Sequence, residues 1–240
     1  MQFHKTFLKQ AFSGLGYELR RKRSGPGGDS FNDMSRIVTS SNPVLFDVGA
    51  NVGQTIQKFR QQFQKSTIHS FEPSPATFRV LQERTRGIPK LHLTNAGLGA
   101  RSGITTFVEN ENVDMSSFLE PGQECWGSIK QRSQLRLDTI DEYCARVGVK
   151  HIDVLKSDTQ GFELEVLRGA SGMIEHRRIQ LIYLEIIFSA MYKGLPGADE
   201  IFKLLFDRGF RVVSFYEMHH RNGLLSWTDV LFVDPAYSSE

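Results

Sequence analysis

An acidic residue and two glycines follow the first apolar run of the chain, with the spacing of a ligand-binding loop. They are Asp47, Gly49 and Gly53, with Asn51 between the glycines. Glycine lets a backbone pass close to a ligand, although the same spacing also suits a tight turn from a strand into a helix. A dinucleotide site would show G-x-G-x-x-G, and a phosphate loop would end in Gly-Lys-Ser/Thr, and this sequence has neither. The observed spacing favours a ligand with an amino group, so we predict that Asp47, Gly49, Asn51 and Gly53 bind a cofactor.

Two more polar residues follow the next apolar runs. Glu72 directly follows Phe71 and lies 25 residues after Asp47, close to the offset of about 20 at which an acid binds ribose hydroxyls in nucleotide-binding folds. A carboxylate can accept hydrogen bonds from both vicinal hydroxyls. Asn95 follows a third apolar run, where an asparagine either caps an adenine edge or forms a turn. We therefore include Glu72 and Asn95 in the predicted cofactor site.

The apolar runs before these residues alternate with helical patterns. This alternation predicts parallel strands joined by right-handed crossovers, and ligands bind such sheets beyond the carboxyl ends of the strands. Strands are predicted at 44–46, 67–71, 91–94, 152–155, 179–185, 210–216 and 230–233, and helices at 53–65, 75–86, 138–146, 161–169 and 199–208. The last two strands predict an antiparallel edge hairpin. Residues 103–109 alternate like an exposed strand, whereas 110–134 have no period and predict a long surface loop.

Several segments together resemble the FkbM-type methyltransferase domain, which belongs to the class I S-adenosylmethionine-dependent methyltransferases. They are Phe46–Gly53, Phe71–Pro73, Asn95–Gly99, Arg136–Tyr143 and, most distinctively, Leu155–Glu163 followed by Leu167–Ala170. The resemblance covers about residues 43–215 in order. The sequence departs from the family pattern at Ser157 and Thr159, where apolar residues are usual, and this departure concerns the acceptor more than the type of reaction.

The resemblance implies a fold, a cofactor and a reaction. The fold is three-layer α/β and Rossmann-like, with about seven strands that are mostly parallel and a last strand that is antiparallel. The cofactor is S-adenosylmethionine, whose methyl group is transferred to a hydroxyl of a small molecule, sugar or glycan. Residues 31–240 are predicted to form this methyltransferase domain, and residues 1–30 a basic helical extension and linker that contains the run Arg20–Arg23.

Methyl transfer to an alcohol needs a base, which contributes roughly 10²–10⁴-fold. Asp158 follows a strand at the ligand-binding edge and is the predicted base. Lys156 is predicted to lower the pKa of the acceptor hydroxyl or to pair with Asp158. Glu185 is predicted to bind the acceptor or to form a salt bridge, and Glu163 to support the site or to cap a helix. Oxygen ligands suit a divalent ion, but no dense carboxylate cluster appears, so a metal is not expected.

Composition sets the remaining expectations. The chain has 240 residues with 29 basic and 27 acidic side chains, and this balance does not predict a nucleic-acid partner. Two cysteines, Cys125 and Cys144, are too few for a disulfide framework and fit a reducing compartment. No run approaches the ~18 apolar residues of a membrane span, and the N-terminal segment lacks a signal-peptide pattern. We expect a cytoplasmic protein without stable membrane insertion. Its acceptor is expected to be a small molecule or a carbohydrate, and a homodimer is compatible with the sequence.

Two other functions remain open at this point. One is a binding module that holds S-adenosylmethionine without turnover, and the other is an NAD-dependent oxidoreductase on a similar sheet. The missing G-x-G-x-x-G pattern argues against the oxidoreductase. The adjacent histidines His219 and His220 are predicted to lie in a turn, with His219 as an alternative base.

Overall fold

The computed structural model describes residues 25–237. Within them the helices are α1 (Ser30–Ile37), α2 (Gln54–Gln62), α3 (Pro75–Arg84), α4 (Ile140–Val147), α5 (Glu163–Arg168), α6 (Ser171–Glu175) and α7 (Ala198–Asp207). The strands are β1 (Val44–Val48), β2 (Thr67–Phe71), β3 (Leu91–Thr94), β4 (Gly97–Leu98), β5 (Gly103–Asn110), β6 (Ile129–Asp138), β7 (Ile152–Ser157), β8 (Ile179–Ile187), β9 (Arg211–Arg221) and β10 (Leu224–Val233). A short 3₁₀ helix covers Val113–Met115.

Seven strands form the central sheet, in the order β3-β2-β1-β7-β8-β10-β9. The pairs from β3 to β8 are parallel, and β10 is antiparallel to both of its neighbours. The fold predicted from the sequence is therefore confirmed, including the antiparallel last strand. The predicted edge hairpin differs in one respect: β10 enters the sheet between β8 and β9, so that β9 alone forms the edge.

Helices cover both faces of this sheet and give it three layers. One apolar cluster contains residues of α4, α5, α6 and α7, namely Ile140, Leu164, Ile174 and Ile201. A second cluster on the opposite face joins α1, α2 and α3 through Met34, Phe59, Leu81 and their neighbours. All six residues of β7 are buried, because a central parallel strand is covered on both faces.

The segment after β5 corrects the predicted loop at 110–134. Residues Ile129–Asp138 form β6, which pairs antiparallel with β5 and parallel with β4 in a separate three-stranded sheet. Most residues of β6 up to Arg136 are exposed. The strand therefore lacks the alternating apolar pattern by which sequence analysis detects strands. Its pairing with β5, rather than a buried face, holds it in place.

The strand register brings four strand ends to one edge of the central sheet. Val48 pairs with Phe71 on one side and with Ser157 on the other, and Ser157 pairs with Leu184. The residues that follow β1, β2 and β7, and the end of β8, therefore lie side by side. This is the edge at which the sequence predicts a ligand.

The N-terminal predictions concern a part of the chain that is mostly not described. Most of the predicted helical extension, including the run Arg20–Arg23, lies outside residues 25–237, and the domain boundary at residue 30 stays a prediction. Among the described residues, no helix combines the length and apolar character needed to cross a bilayer.

Candidate functional site

A cleft of about 470 Å³ opens at the edge where the four strand ends meet. Its lining falls into two parts. The β1–β2 half is formed after β1 and β2, on α3 and at β4, by Gly49, Asn51, Val52, Glu72, Ser74, Thr77, Val80, Gly97 and Leu98. The β7–β8 half is formed after β7, on β8 and along the excursion from β5 to β6, by Phe107, Glu109, Asn110, Asp114, Phe118, Lys130, Asp158, Thr159, Gln160 and Glu185.

Gly49 joins the two halves through a close backbone approach. Its φ is +78°, and a Cβ at this position would lie 1.9 Å from the carbonyl oxygen of Asp158. The N–H groups of Gly49 and Ala50 both donate to the carbonyl of Phe71, at 3.1 and 2.9 Å. Only glycine fits here without moving the Asp158 loop. A larger residue at Gly49 would therefore displace backbone, rather than simply fill ligand space.

Gly53 has a structural role in the described fold. It precedes α2 with a φ of +95°, and an added Cβ would lie 3.0 Å from Thr85 and 3.1 Å from Leu81. It is not among the residues that line the cleft. The glycine spacing in the sequence therefore combines one glycine at the cleft with one that packs α2 against α3.

Glu72 places a buried carboxylate in the β1–β2 half. Its Oε2 accepts from the N–H of Asn51 at 3.0 Å, and its Oε1 accepts from the N–H of Ser74 at 2.9 Å. Burial raises the pKa of Glu72 to about 7, against the opposing effect of these two N–H groups. Each oxygen keeps a further lone pair, so the carboxylate is oriented by the backbone and can still accept from a ligand.

The two asparagines of the predicted cofactor site lie in different places. Asn51 lines the cleft with a φ of +47°, and its side chain donates to Asp114 Oδ1 at 2.6 Å. Asn95 is exposed and does not line the cleft; its amide donates to the carbonyls of Glu72 and Pro73 at 2.8 and 2.9 Å. The turn role that was left open for Asn95 therefore matches its contacts, and its effect on a ligand would be exerted through Glu72.

Asp47 and Lys156 lie beneath the cleft rather than on its surface. Asp47 is fully buried, and its Oδ1 is 3.3 Å from Lys156 Nζ. Lys156 Nζ is also 3.5 Å from Asp158 Oδ2 and 3.5 Å from the carbonyl of Gly49. Burial opposes the charge on Lys156, but the carboxylates of Asp158 and Asp47 outweigh it and raise the lysine pKa. Lys156 thus pairs with Asp158, as one of its two predicted roles required, and links β1 to β7.

Asp158 and Glu185 both line the β7–β8 half, and one side chain bridges them. Gln160 Nε2 donates to Asp158 Oδ1 at 3.0 Å and to Glu185 Oε2 at 2.9 Å. The Asp158 side chain is 44% exposed, so it is accessible to a ligand in the cleft. Burial raises the pKa of Glu185 well above its usual range, and the charges of Asp158, Glu163 and Asp229 act in the same direction.

Glu163 supports the loop that carries these groups. One of its oxygens, Oε1, accepts from the N–H and from the hydroxyl of Thr159, at 2.7 and 2.9 Å. It is buried, and burial raises its pKa to about 7. Glu163 begins α5 and folds back onto the loop before the helix, so its contacts match the supporting role; the N-cap of α5, Phe162, makes no side-chain capping hydrogen bond.

Sequence analysis missed the contribution of the excursion between β5 and β6. Phe107 and Phe118 pack edge to face at 4.8 Å between ring centroids, and Phe118 contacts Phe162 at 5.2 Å. Ser117 pairs with Val108 through two backbone hydrogen bonds of 2.8 and 3.1 Å. These contacts bring Asp114 and Lys130 to the cleft. Gln160 was also missed, although its position within the motif Leu155–Glu163 marked it for attention.

The histidine pair lies elsewhere in the fold. His219 and His220 are in β9, not in a turn, and the ring of His219 stacks on Trp227 at 4.5 Å. His219 does not line the cleft. Over residues 25–237, no group of three His, Cys, Asp or Glu side chains is arranged to hold a metal ion, and whether the protein uses a metal stays a prediction.

The residues that line the cleft lie in a part of the chain that matches a known protein family. The family model described as the methyltransferase FkbM domain matches residues 47–212, from the start of the glycine loop to β9. The chain belongs to the FkbM methyltransferase family. This confirms the resemblance found in the sequence, and it includes every residue that lines the cleft.

Three curated relatives of this FkbM-family chain are named methyltransferases. The 2-O-methyltransferase NoeI of Sinorhizobium fredii is 25% identical over an alignment of 185 residues that covers 70% of this chain and 73% of NoeI. The methyltransferase sdnD of Sordaria araneosa is 26% identical over 200 residues, covering 72% of this chain and 75% of sdnD. The hexuronic acid methyltransferase AglP of Haloferax volcanii is 28% identical over 146 residues, covering 60% and 55% of the two chains.

Solved structures share the fold at low sequence identity. Methyltransferase FkbM from Methylobacillus flagellatus has a TM-score of 0.50 at 14% identity, and the match covers 83% of this chain and 47% of that one. SMU.1697c of Streptococcus mutans, solved in complex with SAH, has a TM-score of 0.50 at 10% identity and is matched over 85% of this chain and 94% of its own. At these identities the similarity concerns the fold alone.

Proposed function

We propose that this protein transfers the methyl group of S-adenosylmethionine to a hydroxyl oxygen of a small, carbohydrate-like acceptor. The observation that carries the proposal is that two carboxylates line one cleft. Glu72 lies in the β1–β2 half and Asp158 in the β7–β8 half. The names of the relatives NoeI and AglP support an oxygen of a sugar-like acceptor.

The residues of the β1–β2 half fit the proposed cofactor. Its ribose carries two vicinal hydroxyls, and a buried carboxylate that keeps free lone pairs is a suitable acceptor for them. Glu72 meets this requirement because the N–H groups of Asn51 and Ser74 fix its orientation. Gly49 keeps the loop after β1 close to Asp158. We assign Glu72 to the ribose, and Gly49 and Asn51 to the cofactor's remaining polar groups.

Asp47 and Gly53 contribute to this assignment indirectly. Asp47 holds Lys156 beneath the loop at 3.3 Å, and Gly53 allows α2 to begin directly after the loop. Asn95 fixes the backbone at Glu72 and Pro73. We propose that these three predicted cofactor residues shape the site without touching the ligand.

The β7–β8 half fits a hydroxyl acceptor. Asp158 is accessible, hydrogen-bonded to Gln160 and paired with Lys156. We assign Asp158 as the base that takes the acceptor's proton, and Glu185 as a group that binds a neighbouring hydroxyl. When bound, S-adenosylmethionine supplies an activated methyl group, so the chain's own task is to align the acceptor oxygen and remove its proton. Lys156 remains behind Asp158 and forms an ion pair with it.

The proposal is tested with methyl-labelled S-adenosylmethionine and a panel of neutral glycosides, amino-sugar glycosides and simple secondary alcohols. We expect label in an ether product, together with S-adenosylhomocysteine, for at least one sugar acceptor. Labelled product at the amine of an amino sugar would contradict the assignment of a hydroxyl oxygen as the acceptor. Binding of S-adenosylmethionine without product from any acceptor would favour the non-catalytic module, and tight binding of NAD with no binding of S-adenosylmethionine would favour an oxidoreductase.

A further inference from the structure

We propose that Gln160 is a positioning residue that holds the carboxyl groups of Asp158 and Glu185 in a fixed arrangement within the cleft. The inference rests on the function proposed above and assigns one more residue to the same site. Gln160 donates through one amide nitrogen to both carboxylates, at 3.0 and 2.9 Å. An amide carries two N–H groups on that nitrogen, so each carboxylate receives its own donor.

The orientation of the Gln160 amide is set from the other side. The hydroxyl of Tyr192 donates to Gln160 Oε1 at 2.9 Å. The two carboxyl groups accept from the nitrogen at one end of the amide, and the Tyr192 hydroxyl contacts the oxygen at the other, so both ends of the amide are engaged. Tyr192 is 4% exposed and packs with Met115 and Met191, which makes it a rigid support.

The backbone of Gln160 is fixed as firmly as its side chain. Its φ is +56°, in the left-handed region that residues other than glycine seldom adopt. The carbonyl of Gln160 accepts from the hydroxyl of Ser117 at 2.8 Å, which ties it to the excursion between β5 and β6. Three separate segments, at Ser117, Tyr192 and Glu185, therefore hold this one residue. A strained conformation that several neighbours hold in place is common at functional sites.

The charges around the pair explain why a neutral donor is needed between them. Lys156 on β7 approaches Asp158, whereas Glu163 on α5 and Asp229 on β10 add negative charge near Glu185. Tyr192 lies on the loop after β8, next to Lys193, and its pKa is raised by burial. A glutamate in place of Gln160 would add another negative charge and remove both donors. We therefore expect the Gln160 donors to oppose the rise in the pKa of Glu185 and to hold Asp158 in place as the base.

The experiment compares Gln160→Glu and Gln160→Leu with Tyr192→Phe, which leaves the amide present but removes its support. Gln64→Glu, an exposed position outside the cleft, is the matched control for the charge change. The first readout is a carboxyl ¹³C NMR titration of Glu185, identified by its loss in Glu185→Gln. The second is the pH profile of kcat on the acceptor found in the methyl-transfer assay, and the third is the affinity for S-adenosylhomocysteine.

We expect Gln160→Glu to raise the Glu185 midpoint by about one pH unit or more, and Gln160→Leu to raise it less. Both variants should lower kcat by about tenfold or more and move the acidic limb of the profile, with cofactor affinity within about twofold of wild type. Tyr192→Phe should show the same changes at smaller size, and Gln64→Glu none.

An unchanged Glu185 midpoint in both Gln160 variants would overturn the proposal. So would a loss of kcat that follows a loss of thermal stability without any change in the pH profile, because that is the behaviour of a merely structural residue. The NMR titration needs no acceptor. If wild type methylates nothing in the panel, the proposed function fails, and the midpoints still decide whether Gln160 controls the pair.

Discussion

The two halves of the cleft hold their carboxylates in different ways. In the β1–β2 half, Glu72 is bound by backbone N–H groups that the ends of β1 and β2 place next to it. In the β7–β8 half, Asp158 and Glu185 are bound by a side chain, Gln160, which is itself held by Tyr192. Backbone donors move only if the strands move, whereas side-chain donors depend on several distant segments. We expect the first half to tolerate change in its neighbours and the second to be sensitive to it.

The largest expected effect is in the β7–β8 half. Asp158→Asn keeps the shape of the side chain and removes the proposed base, so turnover should fall by at least about 10²-fold, within the range for loss of a general base. Affinity for S-adenosylhomocysteine should change far less. Asp207→Asn, at an exposed residue of α7 paired with Lys203, serves as control in the same single-turnover assay. Full activity of Asp158→Asn would transfer the base role to Glu185 and erase the distinction between the halves.

Gly49 lies between the halves and should show the next largest effect, on stability. Gly148→Ala provides the matched control, because Gly148 has a φ of +76° and open space around its Cβ position, whereas a Cβ on Gly49 meets Asp158. The left-handed conformation alone costs about 1–2 kcal/mol, and the displaced backbone adds about 1–3 kcal/mol. In urea unfolding, the free energy of unfolding of Gly49→Ala should therefore be well below that of Gly148→Ala. Equal losses would mean that the loop after β7 moves freely.

Glu72→Ala should weaken cofactor binding without a comparable loss of the chemical step. The expected loss is about 1.5–3 kcal/mol, the range for hydrogen bonds to charged groups. Glu72→Gln separates charge from shape, because the amide fills the same space. Titration calorimetry with S-adenosylhomocysteine gives the comparison, and wild-type affinity in both variants would place the ribose elsewhere.

The pH dependence of binding tests the role of Glu72 in a second way. The pKa of Glu72 is raised by burial to about 7, so its ionised fraction falls from about nine-tenths at pH 8 to about one-tenth at pH 6. Affinity for S-adenosylhomocysteine should fall by up to about tenfold over this interval. The unliganded fold behaves oppositely: the raised pKa means that Glu72 contributes stability below pH 4.5, and this contribution is lost as the pH rises through 7. A binding curve in Glu72→Gln as steep as in wild type would exclude Glu72 as the titrating group.

The smallest effect is expected from the N-terminal segment. The cleft is lined by residues between Val48 and Glu185, so deletion of residues 1–25 should leave cofactor affinity within about twofold of the full chain. Calorimetry on the shortened chain makes the test, with circular dichroism as a check of folding. Loss of the fold on deletion would make this segment part of the domain rather than an extension.

The β1–β2 half was the easier part to predict from the sequence. Its residues follow directly after apolar strands, and the ends of parallel strands meet at one edge, so Glu72 and Gly49 could be placed from spacing alone. The same reasoning placed Asp158 after β7. It did not separate Gly49, which reaches the cleft, from Gly53, which packs α2, because both occur in one turn and differ only in what surrounds them.

The β7–β8 half depends on contacts that leave no pattern along the chain. Gln160 and Tyr192 are hydrogen-bonded across 32 residues, and Ser117 meets Gln160 across 43. The exposed strand β6 has no apolar period, so the predicted loop at 110–134 hid both the second sheet and the residues it brings to the cleft. Side-chain networks of this kind become visible only once the chain is folded.

A crystal structure of the protein with S-adenosylhomocysteine tests the central claim most directly. We expect both ribose hydroxyls within about 2.5–3.0 Å of the Glu72 carboxylate and the sulfur directed toward Asp158. A ribose bound by residues of the β7–β8 half, or a cofactor product bound outside the cleft, would contradict the division of the cleft into a cofactor part and an acceptor part.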